Sequence, residues 1–70
     1  MTLYRRADLY ILCRSVDDAR LYDPAADRLG PSLPLAAIVG EHAREWLPVM
    51  PSQDVPDGLR KYLLLPFPGA

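Results

Sequence analysis

The residues of this 70-residue chain that have the side chains for catalysis are few and scattered. Cys13 is the only cysteine and His42 the only histidine, so any nucleophile with a histidine base would have to be this pair. No acidic residue stands in a recognisable pattern to orient such a histidine. The adjacent carboxylates Asp17 and Asp18 lie among turn-forming residues, which is typical of a solvated turn. The sequence therefore predicts a protein that is not an enzyme.

The sharpest motif is the segment His42-Ala43-Arg44-Glu45-Trp46. It resembles the zinc-binding His-x-x-Glu segment of the metallocarboxypeptidases, and the resemblance would imply that His42 and Glu45 bind zinc. That family completes its site with a second histidine, further arginines and a separate glutamate base, in a domain several times longer. Because this chain has one histidine, the motif supplies at most two of the three protein ligands of a catalytic zinc. We therefore predict no metal and no cofactor.

Composition indicates a small folded unit with no obvious charged partner. Half of the residues are apolar, 24% are charged and the net charge is −1, which is typical of a globular domain. Charges of both signs are mixed along the chain, without the clustered basic face of nucleic-acid binders. No apolar run approaches the ~20 residues that span a bilayer, and no signal-peptide pattern is present. We expect one domain over residues 1–70, no membrane association and a cytoplasmic location.

Chain length limits the stability of this unit. A chain of this size buries only about 60% of the surface that its unfolded form exposes. A single cysteine cannot form a disulfide within the chain, and the lone histidine leaves no structural zinc set. The remaining sources of stability are tight packing or a partner. This argument favours a complex with another protein, either a homodimer or a foreign partner.

A β-hairpin is predicted in the first third of the chain. Residues from Leu3 to Arg14 alternate between apolar and polar, which indicates a half-buried strand whose best-formed part is Ala7 to Arg14. A second strand, Ala19 to Asp23, follows a short turn. Pro24 ends it because proline has no N–H for the ladder, and residues 25–29 are expected to form one helical turn. The inward residues of the first strand are expected to be Leu3, Ala7, Leu9, Ile11 and Cys13, and the outward ones Tyr4, Arg6, Asp8, Tyr10 and Arg14.

An amphipathic helix is predicted from Leu35 to Trp46, where apolar residues recur at spacings of three and four. Gly40 would cost about 1 kcal/mol inside it relative to alanine. Pro48 predicts the end of the helix one or two residues before the proline. An alternative leaves residues 35–39 as a buried strand, followed by a short helix from Glu41 to Leu47.

The last third of the chain is expected to contain a loop and a strand. Residues 48–58 are rich in proline and predict an ordered surface loop. Lys61 to Phe67 alternates with apolar residues on both faces, which favours a strand, with Pro66 confining it to an edge. The alternative is a helix from Pro56 to Leu65. The combined prediction is an α+β fold of the order β-β-α-β, in which an antiparallel hairpin is extended by the last strand and one amphipathic helix packs on the sheet.

Two surfaces are candidate binding sites. The outward tyrosines and arginines of the hairpin are residue types that are common at protein interfaces and that also stack on single-stranded bases. The last segment has more apolar surface than one helix can cover. The helix adds a tryptophan, which is a frequent interface anchor. The predicted partner-binding residues are Tyr4, Arg6, Tyr10, Arg14, Tyr22, Trp46, Tyr62, Leu64 and Phe67. We expect a non-enzymatic protein-binding module that acts as a small accessory subunit or inhibitor of a larger complex, with single-stranded nucleic-acid binding as the alternative.

Overall fold

The computed structural model describes residues 1–50 and 55–64, which form an antiparallel sheet with helical segments on both faces. Along the chain the elements are β1 (Thr2–Arg6), β2 (Leu9–Ser15), β3 (Asp18–Asp23), β4 (Arg28–Leu29), α1 (Leu35–Val39), a 3-10 helix (Gly40–Glu45), β5 (Leu47–Val49) and α2 (Asp57–Leu64). The five strands lie in the order β4-β3-β2-β1-β5. The predicted α+β class, with an antiparallel hairpin and a helix packed on the sheet, is confirmed.

The first predicted strand is in fact two strands. β1 and β2 are joined by the two-residue turn Ala7-Asp8, with Arg6 paired to Leu9. Ala7 has a φ of +52°, a left-handed conformation that glycine adopts most readily. Because the turn contains neither glycine nor asparagine, no sequence signal marks it. The prediction of a single strand from Leu3 to Arg14 is therefore wrong. The hairpin predicted after it, formed by β2 and β3, is confirmed.

The two-residue turn also changes which residues share a face. Cross-strand partners lie on the same face of a sheet, and Leu3 pairs with Leu12 while Tyr4 pairs with Ile11. Even-numbered residues of β1 therefore share a face with odd-numbered residues of β2. The predicted inward and outward rows keep one parity throughout the segment, so both rows are wrong.

Each face of the sheet carries its own apolar cluster. The face covered by α2, which we call the α2 face, buries Leu3, Tyr10, Leu12, Tyr22, Val55 and Leu59. The opposite face, covered by α1 and the 3-10 helix and called the α1 face, buries Ile11, Cys13, Ala19 and Trp46. Because β2 is the middle strand, its successive residues from Tyr10 to Cys13 are buried on alternating faces of the sheet.

The segment after β3 runs along the edge of the sheet. Residues 24–27 form a turn and Arg28–Leu29 form β4, so the helical turn predicted for residues 25–29 is wrong. Further on, Ala19 and Leu33 exchange two backbone hydrogen bonds of 2.9 and 2.8 Å. The N–H of Leu35 then donates to the carbonyl of Val16 at 2.9 Å, which fixes the start of α1 against the β2–β3 turn.

The predicted amphipathic helix is present but broken. α1 ends at Gly40, whose φ of +52° and ψ of −127° suit glycine, and a 3-10 helix continues to Glu45. Helical structure thus stops three residues before Pro48, close to the predicted end, and the alternative of a strand over residues 35–39 is wrong. β5 starts at Leu47, where the helix was predicted to end, and continues into the region predicted as a loop, because its proline hid the strand pattern.

The predicted last strand is a helix. α2 spans Asp57–Leu64, directly after Pro56, as in the helical alternative. Leu59 is buried, and Tyr62 and Leu63, three and four residues later, pack against the same cluster. A run of leucines fits both the side-chain period of a strand and that of a helix. Packing against the sheet decides between the two. The remainder of the predicted strand, Phe67 included, lies outside the described residues.

Candidate functional site

The predicted partner-binding residues divide between the two faces of the sheet. Tyr10 and Tyr22 are buried on the α2 face, at 5% and 1% exposure. Tyr62 packs edge-to-face on Tyr22, with ring centroids 6.1 Å apart. Leu64 is the last residue of α2, and Phe67 is outside the described residues. The predicted tyrosine row is therefore not a surface.

Arg14 lies at the opposite end of the hairpin from Arg6. It lies near the β2–β3 turn, where its Nη1 is 3.8 Å from Asp18 Oδ2 in an exposed ion pair. An exposed pair of this kind contributes about 0–1 kcal/mol.

Three of the predicted residues do come together, on the α1 face. Tyr4 and Arg6 project from β1 on the side of Ile11, and Trp46 joins the same apolar cluster at the start of β5. Tyr4 is half-buried and Trp46 is 8% exposed. The indole Nε1 of Trp46 is buried and has no hydrogen-bond partner within the described part of the chain.

A charged cluster lies beside these residues. Arg6 ends β1 and Glu45 ends the 3-10 helix, which places Arg6 Nε 3.5 Å from Glu45 Oε1. The other oxygen, Glu45 Oε2, accepts a hydrogen bond from His42 Nδ1. These contacts hold the pKa of Glu45 below its usual value, mainly through the hydrogen bond from His42 and secondly through Arg6. Both Glu45 oxygens are thus engaged by cations or donors of this chain.

This geometry does not suit the zinc site that the His-x-x-Glu resemblance implies. The side chains of His42 and Glu45 bind each other at the surface, and Arg6 places a positive charge where a cation would sit. Among residues 1–50 and 55–64, no group of three or more His, Cys, Asp and Glu side chains is arranged to hold a metal ion. The motif is a surface salt-bridge cluster in this fold.

The thiol of Cys13 lies in the interior of the sheet. It is buried on the α1 face and its Sγ donates to the carbonyl of Ser15 at 3.2 Å. Burial, with a smaller contribution from Asp18, raises the pKa of Cys13. A raised pKa keeps the thiol protonated at neutral pH, which is the opposite of what a nucleophile needs.

The most exposed apolar residues near this cluster were not predicted. Leu47 in β5 and Met50 directly after it are each 63% exposed. Arg5, paired with Leu47 across β1 and β5, adds a second arginine to this area. We call the surface formed by Arg5, Arg6, Ala7, Glu45, Leu47, Pro48 and Val49 the β5 corner. The four successive apolar residues from 47 to 50 were the available signal, obscured by the proline among them.

The backbone of β5 offers little to an added strand. Pro48 pairs with Tyr4 and has no N–H, so this pair is a non-hydrogen-bonded one whose backbone groups point to the free edge. At that position the edge presents a carbonyl but no donor. Proline at an edge is a common protection against pairing with another chain. Recognition at the β5 corner therefore depends on side chains.

Comparison with known proteins gives no guide to this surface. No family model, curated protein or solved structure matches the chain. In the described residues, no helix has the length and apolar character required to cross a membrane. Any functional conclusion therefore rests on the geometry of the α1 face and the β5 corner.

Proposed function

We propose that this chain is a non-enzymatic protein-binding module, an accessory subunit or inhibitor of a larger complex, and that its partner contacts the β5 corner. The observation that carries the proposal is the 63% exposure of Leu47 beside Arg5 and Arg6, which line the same groove at the edge of the sheet. An exposed apolar side chain beside arginines has the composition that is typical of protein interfaces. A cytoplasmic location remains a prediction that accompanies this proposal.

The charges of the corner indicate the kind of partner. Arg5 and Arg6 supply two positive charges, and Glu45 supplies one negative charge that Arg6 and His42 already engage. Arg5 Nε donates to the Ala7 carbonyl at 3.0 Å, and the Arg5 Cζ lies 5.9 Å from the Tyr10 ring centroid. The corner thus keeps a net positive rim around Leu47. We expect an apolar partner surface with carboxylates at its margin.

The state of the reactive groups supports a binding role over catalysis. Cys13 is buried with a raised pKa, and His42 is hydrogen-bonded at the surface to Glu45. The proposal of single-stranded nucleic-acid binding needs stacking platforms on the sheet face. Tyr10 and Tyr22, its central residues, are buried beneath α2, so no observation favours it as a second candidate.

Site-specific photo-crosslinking in the native host tests this proposal. A photoreactive amino acid at Leu47 is expected to crosslink one partner, because this side chain is at the centre of the corner. The matched control is Val16, which is 71% exposed but lies in the β2–β3 turn at the other end of the strands. Light scattering during size-exclusion chromatography distinguishes a second copy from a foreign protein.

Substitution then measures the contribution of the corner. Leu47→Asp is expected to weaken binding to the captured partner by at least about tenfold, as loss of an interface anchor does. Val16→Asp is expected to leave binding unchanged, and neither exposed substitution should alter stability by more than about 0.5 kcal/mol. Equal crosslinking at the two positions, or equal affinity of the two variants, would reject the β5 corner as the binding surface.

A further inference from the structure

Two contacts orient the Arg5 side chain beside β5. Its Nε donates to the Ala7 carbonyl at 3.0 Å, and its Cζ lies 5.9 Å from the Tyr10 ring centroid, within the range of a cation–π contact. The first contact comes from the β1–β2 turn and the second from the neighbouring strand, so the guanidinium is held from two sides. Neither contact uses the two Nη groups, which form a planar fork that fits a carboxylate.

Arg5 and Arg6 differ in the charge that faces them. Arg6 Nε lies 3.5 Å from Glu45 Oε1, so the positive charge of Arg6 is already matched. Among residues 1–50 and 55–64, no carboxylate lies within ion-pair distance of Arg5. Arg5 is therefore an oriented, exposed guanidinium whose charge is available to a ligand.

An apolar surface lies directly next to this guanidinium. The groove of the β5 corner has a volume of about 410 Å³, within the range of about 300–1,000 Å³ in which pockets hold small ligands. Leu47 is the cross-strand partner of Arg5, so the two side chains lie on the same face of the sheet. Because Leu47 is 63% exposed, an apolar group that packs on it would lie beside the Arg5 fork.

The carboxylates of this region limit the charge of a ligand. Glu45 lines the same groove as Arg5, and Asp8 lines a neighbouring groove that also includes Arg5. A phosphate group or a run of acidic residues would bring two or more negative charges close to these carboxylates, and like charges repel at short distance. A single carboxylate on Arg5 avoids this repulsion.

We infer that the β5 corner recognises a short segment of its partner in which one aspartate or glutamate stands next to an apolar residue, and that Arg5 selects the carboxylate. This inference rests on the proposed function, since it specifies the chemistry of the partner at the same surface. The apolar side chain of the segment packs on Leu47, and its carboxylate accepts two hydrogen bonds from the Nη groups of Arg5. Arg6 contributes less to the selection because Glu45 already engages it.

Selection of random heptapeptides displayed on phage tests this inference with the full chain as the target. The recovered peptides are expected to share an acidic residue next to a leucine, isoleucine, valine, methionine or phenylalanine. The same selection on Arg5→Gln should recover peptides without the acidic residue. A wild-type consensus that lacks an acidic residue, or a selection that recovers no peptide, would overturn the inference.

The affinity of one selected peptide, measured by fluorescence anisotropy, distinguishes a direct contact from a general effect of charge. Arg5→Gln is expected to weaken binding by at least about tenfold, the effect of losing a hydrogen bond to a charged group. Arg5→Lys keeps the charge but loses the planar fork, so we expect an intermediate loss. The matched control is Arg44→Gln, which removes the same charge from an exposed position of the 3-10 helix outside the groove and should leave affinity unchanged. Equal losses in Arg5→Gln and Arg44→Gln would contradict a direct contact.

Replacement of the acidic residue of the peptide by its amide assigns the contact to one arginine. In wild type and in Arg6→Gln, the amide peptide should bind about tenfold more weakly than the acidic one, whereas Arg5→Gln should bind the two equally. The opposite pattern, in which Arg6→Gln removes the preference and Arg5→Gln keeps it, would refute the role of Arg5. A partner crosslinked at Leu47 would support the proposed function even if these peptide experiments failed, so the two failures are distinguishable.

Discussion

The two faces of the sheet are held together in different ways. On the α2 face, the Tyr22 hydroxyl donates to Asp27 Oδ1 at 2.6 Å, and Lys61 Nζ of α2 lies 3.6 Å from Asp27 Oδ2. Gly58 brings the backbone of α2 directly against this pair, because a Cβ there would lie 2.2 Å from the Tyr22 hydroxyl oxygen. The buried Tyr22 ring, its hydrogen bond to Asp27 and the close approach of α2 thus stabilise the same place. We call this set of contacts the lock.

The polar contact on the α1 face is more exposed, since Arg6 of β1 and Glu45 of the 3-10 helix form their ion pair at the surface. Neither α1 nor the 3-10 helix contains a buried residue, and the two meet at a left-handed glycine. A cleft remains between them and β1, with an indole N–H that lacks a partner in the described residues. From this difference we expect the α2 face to contribute more to stability than the α1 face. Regions of low local stability are where binding surfaces are commonly found.

Truncation of one leucine on each face is the strongest test of this contrast. Leu59→Ala, at a fully buried position of α2, is expected to lower the free energy of unfolding by about 3 kcal/mol. That is a large share of the roughly 4–10 kcal/mol available to a chain of this length. Leu35→Ala in α1, where the side chain is only half-buried, should cost about 1 kcal/mol. Urea denaturation measures both, and equal losses would remove the distinction between the faces.

Gly58→Ala tests the close approach of α2. In an exposed helix this change stabilises by about 1 kcal/mol, but here the new methyl group meets Tyr22 and Asp27 oxygens, at 2.2 and 2.6 Å. Because Tyr22 is 1% exposed and unable to move aside, we expect destabilisation of about 2 kcal/mol. In a Tyr22→Phe background, thermal denaturation should show a smaller penalty. Stabilisation by Gly58→Ala in the wild-type background would mean that α2 is not seated this closely.

Tyr22→Phe is expected to have the smallest effect of these substitutions on the free energy of unfolding. Loss of the hydrogen bond to Asp27 is expected to cost about 1 kcal/mol at pH 7. Burial, and secondly this hydrogen bond, raise the pKa of Tyr22 from 10.0 to about 12. The unfolded chain therefore loses this proton first as pH rises, so the contribution is present below about pH 10 and is lost as pH rises to about 12.

The matched measurement is denaturation of both proteins across this pH range. Wild type should lose stability more steeply than Tyr22→Phe between pH 10 and about 12, since the remaining titrating groups are common to both. Parallel pH profiles would show that the hydroxyl is not held in a buried, hydrogen-bonded state. The Tyr22–Asp27 contact would then be no part of the lock.

The sequence predicted some of these elements because their signals are local. Proline ends β3 at Asp23 through its missing N–H, and Pro48 limits the helical region through the geometry of the residue before it. The candidate site was only partly predictable. Tyr4, Arg6 and Trp46 do share a face, but Leu47 was missed, since exposure depends on neighbours that lie far away in the chain.

The amino-acid sequence by itself determined the α+β class, the β2–β3 hairpin and the helical segment before Pro48, since each depends on periodicity or on proline chemistry within a few residues. The tertiary structure alone decided that residues 2–15 form two strands, and so which tyrosines are buried. It also decided that α2 is a helix, because leucine runs fit both periods. A two-residue turn moves every later side chain to the other face, and only the pairing of strands reveals it.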